Sequence, residues 1–258
     1  MSSGVRALFG ILLATSPAAQ AAESCRSGIA RTERLQGLGP RGELVLADGG
    51  RIVLSGIGWP EDEATAAEAG AWLSGHRGSL LRLTPRGEAD RWGRIPADAV
   101  TEGEEPVDLG AGLVASGLAY ADAGEVDRLC RPALLALEEA PRKAGLGVWR
   151  EGVFDAARAE ELGTRAGRFV VATGRVRSVG ERRSRTYLNF SARGEAGLSV
   201  TVTKRTWRSM RERGLSAETL KGRFVRVRGM LEIWRGPILD IASADMIEVL
   251  EGDRAPRR

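Results

Sequence analysis

The sequence predicts an α+β protein, mainly β, made of two small five-stranded barrels in tandem. Three observations carry that expectation. The chain has 258 residues, enough for two domains of ordinary size. Apolar and polar residues alternate in two sets of short runs, each set interrupted by a helix-like stretch. Charge divides near the middle: residues 165–258 hold 21 basic and 10 acidic residues, whereas residues 1–164 hold 17 and 24. At 43% hydrophobic and 28% charged, the composition excludes a disordered chain.

The elements follow in order. "MSSGVRALFGILLATSPAAQAAES" places Arg6 before an apolar run, Ala7 to Ala14, that is too short to cross a bilayer. Ala19-Gln20-Ala21 then offers small residues at the cleavage positions. Residues 1–21 therefore read as an export signal cut before Ala22, which predicts a periplasmic or secreted protein. No later segment is apolar enough to span a membrane. In an oxidising compartment the two cysteines, Cys25 and Cys130, read as one disulfide; two unpaired buried thiols are the alternative. His76 is the only histidine, so no zinc pattern is present and no metal site is expected.

A first unit is expected over residues 22–150. Gly42 to Leu46 and Arg51 to Gly56 alternate like strands around "ADGG", where Asp48-Gly49 is a hairpin signal. "DEATAAEAGAWLSGH", residues 62–76, predicts a helix whose acidic first turn suits the helix dipole. "SLLRLTP" and "WGRIPADAV" predict two more strands, and Pro96 would force the second to an edge or a bulge. Helices are expected over Val107 to Ala119, with Leu109 and Leu113 on one face, and over Arg128 to Lys143, its end kinked or shortened by Pro141. Strand, strand, helix, strand, strand suits a five-stranded barrel with one early strand undefined.

Residues 151–166 read as a linker containing a short helical piece. A second unit over 167–250 shows strands at 168–177, 186–191 and 197–203, a helix near 205–220, and strands at 223–233 and 237–249. Three strands, a helix and two strands is the order of an OB-fold. The tail 251–258, "EGDRAPRR", is expected to be disordered.

Within the first unit, "LVLADGGRIVLSGIGWPE", "DRWGR" and "GLGVW" together resemble the thermonuclease family, the staphylococcal-nuclease-like OB-fold enzymes. The likeness covers roughly residues 36–150. It implies an OB-type barrel with that family's extra helices, and a site that cleaves phosphodiesters with calcium, two arginines and a glutamate. Cations aimed at the equatorial oxygens and a carboxylate that orients water suit that reaction. Glu61 matches the general-base glutamate and Arg94 the second arginine. The family's first metal-binding aspartate falls on Gly42, its first arginine on Val53 and its second aspartate on Gly58. Calcium needs six to eight oxygen ligands, several of them carboxylates. The loop is therefore expected to be a retained scaffold with no cofactor. Glu61 would stabilise a helix start, Arg94 would pair with Glu61 or Asp90, and Trp59 would cover the barrel end. Glu43 or Asp48 could supply an oxygen to a relocated metal site.

In the second unit the alternation places Val225, Val227, Leu231 and Ile233 toward the core. Phe224, Arg226 and Arg228 point the other way, joined by Arg175, Arg177, Arg185 and Tyr187 from neighbouring strands. Arginines interleaved with aromatics suit single-stranded nucleic acid or another polyanion. The sequence thus predicts an exported, catalytically degenerate thermonuclease-like protein that binds a polyanion or serves as an envelope module. One alternative is an active phosphodiesterase using Glu61, Arg94 and calcium. Another is a protein-interaction scaffold.

Overall fold

The computed structural model describes Cys25 and residues 28–250. The expected export signal and the tail 251–258 lie outside the described residues. Among the described residues the architecture is α+β, with fifteen strands and mostly short helices.

The first unit is a closed barrel. Its strands are β1 (Arg31–Leu38), β2 (Leu44–Leu46), β3 (Arg51–Leu54), β5 (Leu80–Pro85) and β6 (Arg94–Thr101); β4 (Ile57–Gly58) lies outside it. The order around the barrel is β1-β2-β3-β6-β5. All pairings are antiparallel except β3 with β6. β1 is the strand the sequence left undefined: its polar residues face outward and only Leu35 is buried. Helix α1 (Glu63–Ser74) follows β4. Asp62 caps it by accepting the Thr65 N–H at 2.8 Å, and Thr65, Ala69 and Leu73 form its buried stripe.

Pro96 does not sit at an edge. β6 pairs with β3 on one side and β5 on the other. Pro96 lies one residue beyond the last β5 partner pair, Pro85↔Ala97, and its carbonyl accepts the Arg86 N–H at 2.7 Å. Its missing donor thus falls where the β5 ladder has already ended.

Behind the barrel come α2 (Leu109–Ala115), the short β7 (Tyr120–Ala121) that pairs with β4, then α3 (Ala133–Leu137) and α4 (Glu139–Ala144). α2 is shorter than the apolar pattern suggests because Gly117 leaves helical space with φ 71°, and a Cβ there would lie 2.8 Å from the Leu146 carbonyl oxygen. Pro141 stands in the first turn of α4, where it is tolerated, and the expected long helix is divided at Glu138.

The segment read as a linker is packed. It holds β8 (Phe154–Asp155) and α5 (Ala159–Gly163), and Phe154, Ala156 and Leu162 are buried in the second core. The second unit contains β9 (Phe169–Arg175), β10 (Ser178–Glu181), β11 (Arg185–Asn189), β12 (Ser199–Thr203), helices α6 (Lys204–Glu212) and α7 (Ala217–Leu220), β13 (Phe224–Ile233), β14 (Pro237–Ile241) and β15 (Ile247–Val249). Its sheet runs β10-β11-β12-β14-β13-β9-β8, with β15 also on β13. The pairing of β12 with β14 is parallel. Only Val176 and Arg177 separate β9 from β10. Val176 bonds with Arg223 and Gly222, and the Arg177 N–H with the Asn189 carbonyl at 2.8 Å, so the chain carries the ladder from one end of the sheet to the other.

The two cores are distinct but the units interlock. Ala123 and Leu129, from the segment after β7, are buried in the second core. Their amides are held there, Ala123 N–H by Met246 Sδ at 3.5 Å and Leu129 N–H by Asp245 Oδ2 at 2.8 Å. Asp245 in turn pairs with Arg213 at 2.8 Å. The Cys25–Cys130 disulfide is formed, one residue beyond Leu129. No helix among the described residues is long and apolar enough to cross a membrane.

Candidate functional site

The positions where the resemblance expects metal ligands are filled by other groups. At Gly42, φ is 73° and a Cβ would lie 2.2 Å from the Trp59 ring. The indole occupies the place of an aspartate side chain. Gly58, in β4, faces Asp122, whose Oδ2 would be 3.6 Å from a Cβ at that glycine. Burial pushes the Asp122 carboxyl above its ordinary value, against the Gly124 N–H that it accepts at 2.9 Å. Val53 sits in β3 opposite Pro96.

The two carboxylates that could have relocated the metal are engaged elsewhere. Glu43 is buried, accepts the Arg41 N–H at 2.9 Å and pairs with Arg51. Asp48 pairs with Arg31 and accepts the Gly50 N–H at 2.8 Å. Among the described residues no three His, Cys, Asp or Glu side chains gather as a metal site. The donor set around the loop does not fit the calcium that the resemblance implies.

Glu61 and Arg94 are held in different places. Arg94 pairs with Asp90, Nε to Oδ2 at 2.8 Å, and lies over the Trp92 ring at 4.8 Å. Burial pulls the Asp90 carboxyl up, but the Arg94 and Trp92 amides and the Arg94 guanidinium hold it below its ordinary value. Glu61 instead accepts the Phe169 N–H, 3.2 Å to each oxygen, from the first residue of β9. It lines a cleft of about 210 Å³ shared by both units, which Arg94 does not reach.

The face assigned to nucleic acid in the second unit is largely covered. Arg228 is fully buried. Its Nη1 lies 2.7 and 2.8 Å from the two Glu138 oxygens and 3.3 Å from the Ala121 carbonyl, and its Nη2 bonds Glu248. Arg226 pairs with Glu248 at 3.1 Å and is 13% exposed. The alternation sorts β13 as far as Leu231, buried with Val225 and Val227, but Ile233, expected in the core, is 48% exposed at the strand's end. Glu138, between α3 and α4, packs over the outward face. Burial holds the Glu138 carboxyl above its ordinary value, although Arg228 and the Ala121 N–H draw it down. Arg228 loses by its own burial and is held charged by Glu138 and Glu248. Both Glu138 oxygens accept, as an ionised carboxylate does.

The other expected residues divide. Arg185 is tied to Asp240 at 2.5 Å and to Thr201 at 3.1 Å. Arg175 donates to the Gly222 carbonyl at 2.6 Å and lies 5.2 Å over the half-buried Phe224 ring. Arg177 and Tyr187 face a groove of about 1240 Å³ along β10 and β11. Its walls add four residues the sequence reading missed: Arg182, Arg193, Trp234 and Arg235. Trp234 is 72% exposed, with Arg235 at 5.2 Å from its ring. Glu195 is the one carboxylate of the lining. The signal lay in the loops: "SARGEAG" and "WRGP" each set an arginine beside a glycine, outside any alternating run.

The chain matches no protein-family model and no curated protein.

Proposed function

We propose that this is an exported binding protein: a thermonuclease-like OB barrel without its cleavage chemistry, joined to a second OB barrel that takes single-stranded nucleic acid in its basic groove. The strand orders support the barrel type. Each unit pairs its third and fifth strands in parallel, with a helix before the fourth, and the first unit closes through its first strand. OB folds bind oligonucleotides on the second and third strands, between the loops that join strands one to two and four to five. The groove holding Arg182 and Trp234 lies between those two loops. The disulfide suits an oxidising compartment, as the expected export signal does.

The groove's composition carries the reading. Arg177, Arg182, Arg193 and Arg235 surround Tyr187 and an exposed Trp234, against a single glutamate. Guanidinium groups follow a phosphate backbone while bases stack on the rings. Loss of turnover rests on the Trp59 ring over Gly42 and on Glu61 and Arg94 lying apart.

Fluorescence anisotropy with a labelled oligo-thymidine over a salt series tests this. Four phosphate contacts predict a slope of log K against log salt of about −3. Trp234→Ala should weaken binding by about 5- to 150-fold, the range of one lost base stack. Arg177→Glu with Arg235→Glu should abolish it, and calcium should produce no cleavage. Salt-independent binding, or full affinity in the double variant, would sink the groove assignment. Calcium-dependent cleavage would restore the phosphodiesterase reading.

A further inference from the structure

The cleft over Glu61 is built by both units, and clefts between domains are favoured places for small ligands. Its 210 Å³ is below the roughly 300–1,000 Å³ of a drug-sized site, so its ligand is small. Most of its charges are paired. Asp62 caps α1 through the Thr65 N–H, Arg150 bonds Glu68 at 2.6 Å, and Arg165 bonds Glu151 at 2.7 Å.

Two charges are not. The Glu61 carboxylate meets only the neutral Phe169 amide among the described residues. Arg168 lines the same cleft, is exposed, and has no side-chain partner among them. One negative and one positive group therefore face a common space without pairing with each other. An apolar wall stands with them. The Phe169 and Tyr120 ring centroids are 4.8 Å apart, and the Tyr120 hydroxyl is anchored to the Val148 carbonyl at 2.7 Å.

We propose that this cleft binds a small zwitterion of the α-amino-acid type. Its ammonium meets Glu61, its carboxylate meets Arg168, and its apolar side chain lies against Phe169 and Tyr120. A phosphate is disfavoured because the unpaired charges cancel. An organic cation alone leaves Arg168 unanswered. The site is independent of the basic groove, and neither reading depends on the other.

The full mature chain, ¹⁵N-labelled, would be titrated with L-leucine, with 4-methylpentanoate and with 3-methylbutylamine. These probes share one apolar body and carry both charges, only the negative one, or only the positive one. The Phe169 amide resonance reports on Glu61 directly. L-Leucine should saturate with a Kd on the order of 1 mM, and either single-charge probe should bind at least about tenfold more weakly. Glu61→Gln and Arg168→Gln should each weaken L-leucine by about ten- to a hundredfold. Absence of saturation, or a single-charge probe binding as tightly as L-leucine, overturns the proposal. So does full affinity in Arg168→Gln, whose exposed, unbonded side chain makes it a change the fold tolerates.

Discussion

Replacing Arg228 with methionine should be the most damaging single substitution at the junction of the two units. Methionine keeps much of the side chain's apolar bulk, so the change isolates the charge. Among the described residues Arg228 is the only arginine at hydrogen-bond distance from Glu138, which is itself fully buried; Arg142 stands off at 3.9 Å. Without Arg228 the Glu138 carboxylate keeps one backbone donor, the Ala121 N–H at 2.7 Å. Breaking a buried pair from one side typically costs about 3–5 kcal/mol. The reverse substitution should cost less, because Arg228 without Glu138 still has Glu248. Glu138→Gln is therefore expected to lose about 1–3 kcal/mol, the price of one poorly satisfied buried group. The double variant Arg228→Met with Glu138→Leu should recover much of the loss, since apolar replacement of both partners is often near neutral. Urea unfolding followed by tryptophan fluorescence and by far-ultraviolet circular dichroism measures all three. A loss below about 1 kcal/mol for Arg228→Met, or a larger loss for Glu138→Gln, would refute the reasoning.

Two further outcomes follow from contacts elsewhere. The disulfide closes a loop with a sequence separation of 105 residues, and Cys25→Ser with Cys130→Ser should cost about 2–5 kcal/mol in urea unfolding; a loss under about 1 kcal/mol would show that the crosslink constrains little. Glu43 is pulled up by burial but held below its ordinary value of 4.5 by its own and the Arg41 backbone groups and by Arg51. Its folded value lies below its unfolded one, so its contribution to stability is present above pH 4.5 and is lost as pH falls through the folded value. Urea midpoints at about pH 6 and about pH 3 should therefore differ less in Glu43→Gln than in the parent chain, and equal differences would remove Glu43 from the account.

The barrel strands were legible because their signals are local. Leu44, Leu46, Ile52 and Leu54 alternate around Asp48-Gly49, and all four are buried. β1 was hidden because only Leu35 marks its inner face. Pro96 misled because its effect depends on where the neighbouring strand stops, which is not a property of its own strand. Motif spacing places Glu61 and Arg94 in the chain, and Asp90 is one of the two partners it offers Arg94, but it could not show that Phe169 would claim Glu61. In β13 the period of two separated Arg226 and Arg228 from Val225 and Val227. What it could not contain was Glu138, about 90 residues earlier, arriving to cover the outward side. The groove was missed for a related reason: its arginines and Trp234 sit in loops, where no periodicity reports direction.

Ala123 and Leu129 belong by position to the front half and by burial to the back half. A gene fragment beginning after them would leave the rear unit with holes where two apolar side chains should be. A fragment ending after residue 150 would show those same side chains to water. Such a chain resists shuffling: recombination can pass the two units on together, but a crossover between them yields two defective products. Expression of either half alone should give aggregate, and mixing the halves should rescue solubility if their association is strong enough without the covalent link.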